Sequence, residues 1–397
     1  MEPTQPSKRK LPSVVLWLGM VSLLTDIGTE AVYPLLPLFL ADVLHAPRLF
    51  IGTVEGMAEA TASLLKFFSG RVTDRMDRRK PLTVFGYGLS SLVRPLVGFA
   101  VLPWHVLATR VADRVGKGLR SSPRDALLAD AAPADMRGRA YGFHQAMDNA
   151  GAVIGPLVAT GLLAAGVALR NVFLLSAVPG ALAMGALVFG VREERVTHEA
   201  KARALVPLSA ETKTALGRYL GAIAIFGLGN SSDAFLLLRA TQCGVATRWI
   251  PLIWMAHNAT KAALSTWGGS LSDRVDRRHV LIGGWAIYAL VYLGFGYATS
   301  AWQMWALFVV YGAYYALTEG TAKALVADLA PPAARGRVFG WYNATVGIVA
   351  LPASLMFGAL TDRYGAHVPF IVAASLALVA AGWLMLVRLP RPGDENP

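Results

Sequence analysis

The sequence contains a single cysteine, Cys243, among 397 residues, and charged residues make up only 16% of it. One thiol cannot form an intramolecular disulfide or a cysteine metal cluster, so both are excluded. Hydrophobic residues make up 55%, and the mean hydropathy is +0.47. A soluble domain of this size would expose too much apolar surface. The shortage of charge therefore indicates a protein whose solvent is a lipid bilayer.

Several sequence motifs of catalysis are also absent. There is no G-x-x-x-x-G-K-[ST] phosphate loop, and the serines lack a G-x-S-x-G setting. The longest polar segment, 192–215, is too short for an ATPase domain. No predicted helix has a tight His/carboxylate motif. We therefore expect no enzyme activity, no cofactor and no metal site, and we expect an ion gradient to supply any energy.

What the sequence does have is a series of long apolar runs, of the length of about 20 residues that spans a bilayer as a helix. They lie at roughly 14–41, 51–72, 80–101, 103–130, 138–166, 171–190, 216–241, 248–270, 279–299, 301–329, 335–360 and 368–388. Strands of a membrane barrel would be about half as long and alternate in polarity. The first run is too long for a cleavable signal and carries Asp26 and Glu30. We predict an all-α integral membrane protein with twelve transmembrane helices.

The two halves of the chain repeat each other. The charged segment Gly70–Lys80 returns as Gly269–His279, and the segment Ala126–Arg139 returns as Ala324–Arg337. Two independent matches at nearly the same offset indicate a duplicated unit. We therefore predict an N-terminal bundle at 1–191, a cytoplasmic linker at 192–215 and a C-terminal bundle at 216–397.

The distribution of the 37 lysines and arginines predicts the orientation of the chain. Most of those outside the apolar runs lie in the tails and in the even-numbered loops, whereas the odd-numbered loops hold Arg48, Arg170, Arg248 and Arg363. The positive-inside rule then places both termini in the cytoplasm, in a cell (inner) membrane. The net charge of +12 is explained by this topology and by anionic lipid, so we expect no nucleic-acid partner.

The repeated charged loop resembles the G-x-x-x-D-R-x-x-R-R motif of the major facilitator superfamily of transporters. The first copy has Gly70, Asp74, Arg75, Arg78 and Arg79, and the second has Gly269, Asp273, Arg274, Arg277 and Arg278. The fifth run is similar to the antiporter pattern G-x8-G-x3-G-P of that family, with Gly142, Gly151, Gly155 and Pro156. The resemblance implies two six-helix bundles around a central cavity, alternating access, and a path lined by helices 1, 4, 7 and 10.

The loop motif also has a physical interpretation. Its aspartates and arginines can bond to the ends of neighbouring helices and so latch one conformation of the transporter. The alternative for the arginines is that they anchor to lipid phosphates, which the aspartates cannot do.

The fourth run carries a stripe of charged residues at spacings of three and four. The stripe consists of Arg110, Asp113, Arg114, Lys117, Arg120 and Arg124. Because a lone charge in a bilayer costs several kcal/mol, the stripe must face a cavity or partners. The acidic and basic residues singled out in this half are equal in number. The acids are Asp26, Glu30, Glu55, Glu59, Asp113, Asp125 and Asp148, and the bases are Lys66, Arg94, Arg110, Arg114, Lys117, Arg120 and Arg124. Two interpretations stay open: a structural salt-bridge network, or cations that bind an anionic group while Asp26 or Glu30 exchanges a proton.

The corresponding wall of the second half is aromatic instead of charged. At an offset of 198 the stripe maps onto a tyrosine-rich face that includes Tyr311 and Tyr315, followed by Glu319 and Lys323. The seventh run has a polar break at 230–233, and the eighth offers Lys261 and His257 as partners for Asp148. The predicted substrate and proton pathway is Asp26, Glu30, Glu59, Arg94, Arg110, Asp113, Arg114, Lys117, Arg120, Arg124, Asp148, Asn230, Asp233, Lys261, Tyr311, Tyr315, Glu319 and Lys323.

These features favour a secondary active transporter of a small molecule that works by alternating access. One hypothesis is proton-coupled efflux, by antiport, of an amphipathic organic compound, which the glycine pattern of the fifth run favours. The alternative is an importer or facilitator of an anionic metabolite or metal chelate, which the stripe favours. A non-transporting sensor on the same fold is the third. We expect a monomer whose partners are the substrate, protons or another coupling ion, and the bilayer.

Overall fold

The computed structural model describes residues 10–73, 76, 78–133, 136–193, 208–329 and 334–386. Within these ranges the chain is almost entirely helical and contains no β-strand. Twelve transmembrane helices account for the predicted apolar runs, so the predicted fold class is confirmed. They form two six-helix bundles with a cavity between them.

The first bundle consists of α1 (Ser13–Val43), α2 (Arg48–Thr73), α3 (Lys80–Phe99), α4 (Pro103–Ala131), α5 (Arg137–Ala164) and α6 (Leu169–Gly190). Two of these helices change pitch where proline removes a backbone donor. In α1, Pro34 lies in a 3₁₀ turn at Tyr33–Leu35. In α3, Pro95 begins a 3₁₀ turn at Pro95–Phe99.

The second bundle consists of α7 (Ala210–Gln242), α8 (Ile250–Arg274), α9 (Arg277–Tyr297), α10 (Ala301–Asp328), α11 (Arg335–Tyr364) and α12 (His367–Leu386). The predicted polar break of α7 is confirmed, because the helix stops at Gly229 and restarts at Ala234. The start at Ala210 lies inside the predicted linker at 192–215. Residues 194–207 of that linker lie outside the described residues.

Eight of the helices are long and apolar enough, in the described part of the chain, to cross a membrane by composition alone. The other four are α2, α4, α8 and α10. Each of these four lends side chains to the central cavity. Their lower hydropathy therefore reflects one polar face that is turned away from lipid.

The duplication is visible in how two arginines cap the ends of equivalent helices. Arg170 on α6 donates to the carbonyl oxygens of Gly98 (3.1 Å) and Ala100 (2.6 Å) at the end of α3. Arg239 on α7 donates to those of Gly296 (3.2 Å) and Ala298 (2.8 Å) at the end of α9. The acceptors are related by the offset of 198, whereas the donors come from helices that are not equivalent. A cation beside the last carbonyls of a helix is favourable for both hydrogen bonding and the helix dipole.

The two bundles are in closest contact through α2 and α11, on the side of the protein opposite both chain ends. We call this side the distal face and the side that holds Ser13 and Leu386 the terminal face. A Cβ added to Gly52 would lie 2.3 Å from the carbonyl oxygen of Ser354. A Cβ added to Gly56 would lie 2.8 Å from Cα of Leu351. The two glycines thus allow backbone-to-backbone packing that seals the distal face.

A carboxylate of one bundle also caps a helix of the other at the distal face. Asp362 at the end of α11 accepts hydrogen bonds from the backbone N–H groups of Arg48 (3.1 Å) and Leu49 (2.8 Å) at the start of α2. These are two of the first-turn donors that have no partner within the helix. The cap therefore stabilises only the state in which the distal face is closed.

We expect Asp362→Ala to favour opening at the distal face. Loss of a helix cap costs about 1 kcal/mol, which changes the ratio of two conformations about fivefold. A cysteine placed at Ser354 in a Cys243→Ser background should then react faster with a membrane-impermeant maleimide applied from the distal side.

Asp42→Ala is the matched control, since Asp42 is an exposed aspartate on the same face. Equal labelling rates in the two variants would contradict a role for the Asp362 cap in closure.

Candidate functional site

The central cavity has a volume of about 530 Å³ and lies between the two bundles. Its deepest lining residues, such as Tyr33 and Ser354, lie beside the α2–α11 seal, and Lys66 and Lys323 lie near the terminal face. The cavity is therefore open toward the terminal face. Its walls include the four helices that the resemblance implied, α1, α4, α7 and α10, together with α2, α8, α9 and α11.

The N-terminal wall of the cavity is charged. Its ionisable side chains are Glu30, Glu55, Glu59, Lys66, Arg110, Arg114 and Lys117. They come from α1, α2 and α4, so three helices of one bundle supply one polar surface. Water in the cavity can solvate these charges, which removes most of the penalty that lipid would impose.

Glu55 and Arg110 of this wall belong to a buried network of ion pairs. Arg110 donates through Nε and Nη2 to the carboxylate of Glu55, at 3.2 Å for both bonds. Asp113 accepts from Arg94 at 3.1 Å and lies 3.9 Å from Arg110. All four side chains are less than 10% exposed. The network joins α2, α3 and α4, and it agrees with the structural interpretation for these residues.

Only part of the predicted stripe on α4 reaches the cavity. Arg110, Arg114 and Lys117 line it. Asp113 and Arg120 are rotated from Arg110 by about 60° and 80° around a helix of 3.6 residues per turn. They consequently face α3, where Arg120 lies over the ring of Tyr87 at 4.1 Å.

Asp113, Arg120 and Arg124 of the predicted pathway thus lie outside the cavity lining and face partners instead. Arg124 keeps the angular position of Lys117 but lies two turns closer to the terminal face. There it binds Asp125 at 2.7 Å, outside the cavity. Arg94 likewise lies outside the main cavity, because it is committed to Asp113.

Two predicted acids lie between α1 and α5, outside the cavity lining. Cβ of Asp26 packs against Gly151, where an added Cβ would lie 2.7 Å away. Asp148 accepts a short hydrogen bond from Ser22 and lies 3.6 Å from Nδ1 of His144. The expected pairing of Asp148 with Lys261 or His257 is wrong, because its own α5 and the adjacent α1 supply its partners.

On the C-terminal wall, the predicted residues of α7 and α10 mostly face the cavity. Asn230, Asp233, Tyr315, Glu319 and Lys323 line it. Tyr311 is fully buried behind them and donates to Asp233 at 2.7 Å. Lys261 on α8 binds Glu319 at 2.7 Å, and Glu319 also binds Lys323 at 3.0 Å.

Several aromatic lining residues were missed by the sequence interpretation. They are Tyr33, Phe226, Trp254, Trp285 and Tyr342. A signal existed for three of them. Tyr33, Phe226 and Trp254 each lie one helical turn from a polar residue that had been singled out, namely Glu30, Asn230 and His257. Trp285 and Tyr342 have no such neighbour and look like ordinary core residues.

A side-chain hydrogen bond joins the two bundles at the distal end of the cavity. Nε1 of Trp254 donates to Glu30 at 2.8 Å. The Trp254 ring also contacts that of Tyr33, with centroids 5.2 Å apart, and the guanidinium of Arg110 lies over the Tyr33 ring at 5.1 Å. These groups close the cavity at its distal end.

The glycines of the antiporter-type pattern differ in how closely a neighbouring helix approaches them. A Cβ added to Gly155 would lie 2.6 Å from the carbonyl oxygen of Ile27, so Gly151 and Gly155 permit close packing of α5 on α1. Nothing lies within 4 Å of a Cβ added to Gly142. Pro156 is accommodated inside α5.

The described parts of the repeated loop bind within their own bundles. Arg79 forms a short ion pair with Asp130 at the end of α4. Arg277 binds Asp328 at the end of α10 (2.5 Å) and Asp273 (3.1 Å). Arg278 donates to the carbonyl oxygen of Met385.

Other members of the predicted latch contribute less to these contacts. Gly70 lies beside Ser122, Gly269 has open space around it, and Arg78 and Arg274 are exposed. Asp74 and Arg75 lie outside the described residues. Among the described residues, no group of three or more His, Cys, Asp or Glu side chains is arranged to hold a metal ion.

Comparisons with known proteins give matches along the whole chain. The family model of the Major Facilitator Superfamily matches residues 18–257 and 244–397. An uncharacterized MFS-type transporter of Methanocaldococcus jannaschii is 31% identical over 394 residues, 98% of each chain. The multidrug resistance protein MdtG of Dickeya zeae is 24% identical over 98% of this chain and 97% of that protein. The nucleoside transporter NupG has the same fold, with a TM-score of 0.80 at 13% identity, over 94% of this chain and 99% of that one.

We expect Asp113→Asn to destabilise the protein strongly, because it leaves the Arg94 guanidinium buried without its counter-charge. Breaking a buried pair typically costs about 3–5 kcal/mol. The melting temperature of the detergent-solubilised protein, followed by size-exclusion chromatography after heating, should fall by several degrees.

Asp125→Asn is the control on the same helix, because its ion pair with Arg124 is half exposed. Exposed pairs contribute about 0–1 kcal/mol. Similar melting temperatures for the two variants would show that the network is not structural.

Proposed function

This chain belongs to the major facilitator superfamily and is a multi-pass membrane transporter, and from that premise we propose that it exports an amphipathic organic compound in exchange for protons. The observation that carries the proposal is one cavity with a charged wall and an aromatic wall. A charged group of the substrate binds the first wall, and its flat or apolar part packs on the second.

The direction follows from the proposed orientation. With both termini in the cytoplasm, the terminal face is cytoplasmic, and the cavity is open to the compartment from which an exporter loads its substrate. The whole-length relative named for multidrug resistance supports export as well.

We propose Glu30 as the proton carrier. It lines the cavity, and no lysine, arginine or histidine nitrogen lies within 4 Å of it in the described part of the chain. The charged side chain nearest to it in sequence is Asp26, one turn earlier on α1. Protonation of Glu30 would weaken the hydrogen bond that it accepts from Trp254. Binding of a proton would thereby loosen the distal end of the cavity.

The repeated loops have a separate role in this scheme. We propose that they stabilise one conformation of the cycle at the terminal face. The contacts of Arg79 with Asp130 and of Arg277 with Asp328 support this role, because each ties a loop to the end of a cavity-lining helix. The first contact lies within the N-terminal bundle and the second within the C-terminal bundle.

The second candidate is import of an anionic metabolite or metal chelate. It is favoured by three cavity-lining cations, Lys66, Arg114 and Lys117. Direction separates the two functions. Deleting an exporter sensitises cells to its substrate, whereas deleting an importer starves them or makes them resistant.

The proposed function is tested in everted vesicles of an efflux-deficient bacterium. Respiration acidifies their lumen, and acridine orange fluorescence reports protons that leave it. We expect an exported compound from an amphipathic panel to restore fluorescence, and Arg114→Ala vesicles to show no recovery at equal protein content. No recovery with any compound in the wild-type vesicles would refute proton antiport.

We expect Glu30→Gln to uncouple transport from protons, because glutamine can accept the Trp254 hydrogen bond but cannot change charge. Flux of the exported compound in proteoliposomes should lose its dependence on an imposed pH gradient while some exchange remains. Glu211→Gln is the control, since Glu211 lies on α7 outside the cavity. If Glu30→Gln retains the wild-type pH dependence, another group carries the proton.

A further inference from the structure

We propose that the substrate is an organic anion with a flat ring, and that its anionic group binds a cationic subsite formed by Lys66, Arg114 and Lys117. The inference rests on the proposed transport function and adds the charge class of the substrate and the atoms that recognise it. The three cations come from α2 and α4 and line one side of the cavity near the middle and the terminal end.

Two of the three cations of the subsite have no direct ion pair in the described part of the chain. Lys66 and Lys117 have no carboxylate oxygen within 4.0 Å among the residues that the structure describes. Arg114 has one, an oxygen of Asp113 at 3.8 Å, but Asp113 is held more closely by Arg94 at 3.1 Å. Lys117 is close enough to Arg114 and Lys66 for their like charges to repel.

The other acids of the N-terminal wall are already engaged. Glu55 is bound through both oxygens to Arg110, and Glu30 accepts from Trp254. Asp26 influences Lys117 electrostatically but packs against α5, outside the cavity lining. Three cations thus line the cavity with one nearby cavity-lining carboxylate, Glu59.

Glu59 sits where an anionic ligand would compete with it. Arg114, Lys117 and Lys66 all attract it electrostatically, yet none of them lies within 4.0 Å of its carboxylate. Its one described hydrogen bond is a long one, at 3.4 Å from the hydroxyl of Ser63. Glu59 therefore reduces the positive potential of the subsite without filling it.

The ring of the substrate has a surface to rest on across the cavity. Phe226 and Trp285 are stacked with centroids 4.8 Å apart and planes 7° from parallel. Tyr314, Tyr315 and Tyr342 line the same side. In contrast, Lys323 on this side is bound directly to Glu319 at 3.0 Å and is not an open cation. A cavity of about 530 Å³ holds a molecule that spans both walls.

Three probes of one shape and different charge test the proposal: 2-naphthoate, 2-naphthylmethanol and 2-naphthylmethylammonium. Binding to the purified full chain in nanodiscs is measured by isothermal titration calorimetry. We expect 2-naphthoate to bind at least tenfold more tightly than the other two, with an affinity that falls as salt rises.

Substitutions in the subsite should change that affinity in opposite directions. Lys117→Gln should weaken 2-naphthoate binding about tenfold, because one charge-assisted bond is lost. Glu59→Gln should strengthen it severalfold, because the competing carboxylate is removed. A variant that merely damages the fold cannot bind more tightly. Lys213→Gln, which removes a lysine of α7 outside the cavity, should leave the affinity within twofold.

The proposal is overturned if 2-naphthylmethylammonium binds as well as or better than 2-naphthoate, if no probe binds, or if Glu59→Gln weakens binding of the anion. Flux in proteoliposomes separates this result from the proposed function. Export of the ammonium probe would keep the transport proposal and refute the anion subsite. Binding of 2-naphthoate with the expected pattern of variants, without flux, would keep the subsite and refute the transport proposal.

Discussion

The ion pairs among Glu55, Arg110, Asp113 and Arg94 are the constraint on which the N-terminal bundle depends. A charge left alone in hydrocarbon costs several kcal/mol, and a buried pair offsets that cost only when its geometry is complete. Here the charges of α2, α3 and α4 satisfy one another at 3.1–3.2 Å. Because the rotation of α4 is thereby fixed, its next two turns place Arg114 and Lys117 in the lining of the cavity.

The interior of the C-terminal bundle is filled by aromatic rings instead of ion pairs. Tyr288, Tyr292, Tyr311 and Tyr314 pack together with centroids 4.0–6.3 Å apart. The hydroxyl of Tyr288 donates to the carbonyl oxygen of Gly229, and that of Tyr311 donates to Asp233. Each bundle is therefore held by a dense interior of its own. The contacts between the bundles include glycine backbone packing, hydrogen bonds such as that of Glu30 with Trp254, and apolar contacts such as that of the Tyr33 and Trp254 rings. They lie on the distal side, so rigid-body rocking of the bundles would have to part them.

The sequence was sufficient to predict the fold because both signals, apolar length and internal repetition, are properties of the chain alone. The site was only partly predictable. The α4 stripe identified Arg114 and Lys117 as residues of the cavity. Whether a charged side chain faces the cavity or a partner depends on how the neighbouring helices are placed, as the contacts of Arg120 and Arg124 show. Trp254 could not be assigned to Glu30 without knowing how two halves of the chain meet. The repeated loop shows the same limit, since Arg79 in one copy and Arg277 in the other bind equivalent aspartates although the motif aligns Arg79 with Arg278.

The two capping arginines of the distal face suggest how a duplicated membrane protein diverges. Arg170 and Arg239 serve matching carbonyl oxygens from helices that do not correspond. A backbone oxygen is present whatever the residue, so no point mutation removes the acceptor. The donor alone is subject to mutational drift, and it can be replaced from any helix that passes close by. Ancestral equivalence should therefore persist longest in the main chain of the twin bundles, while their side chains are free to specialise.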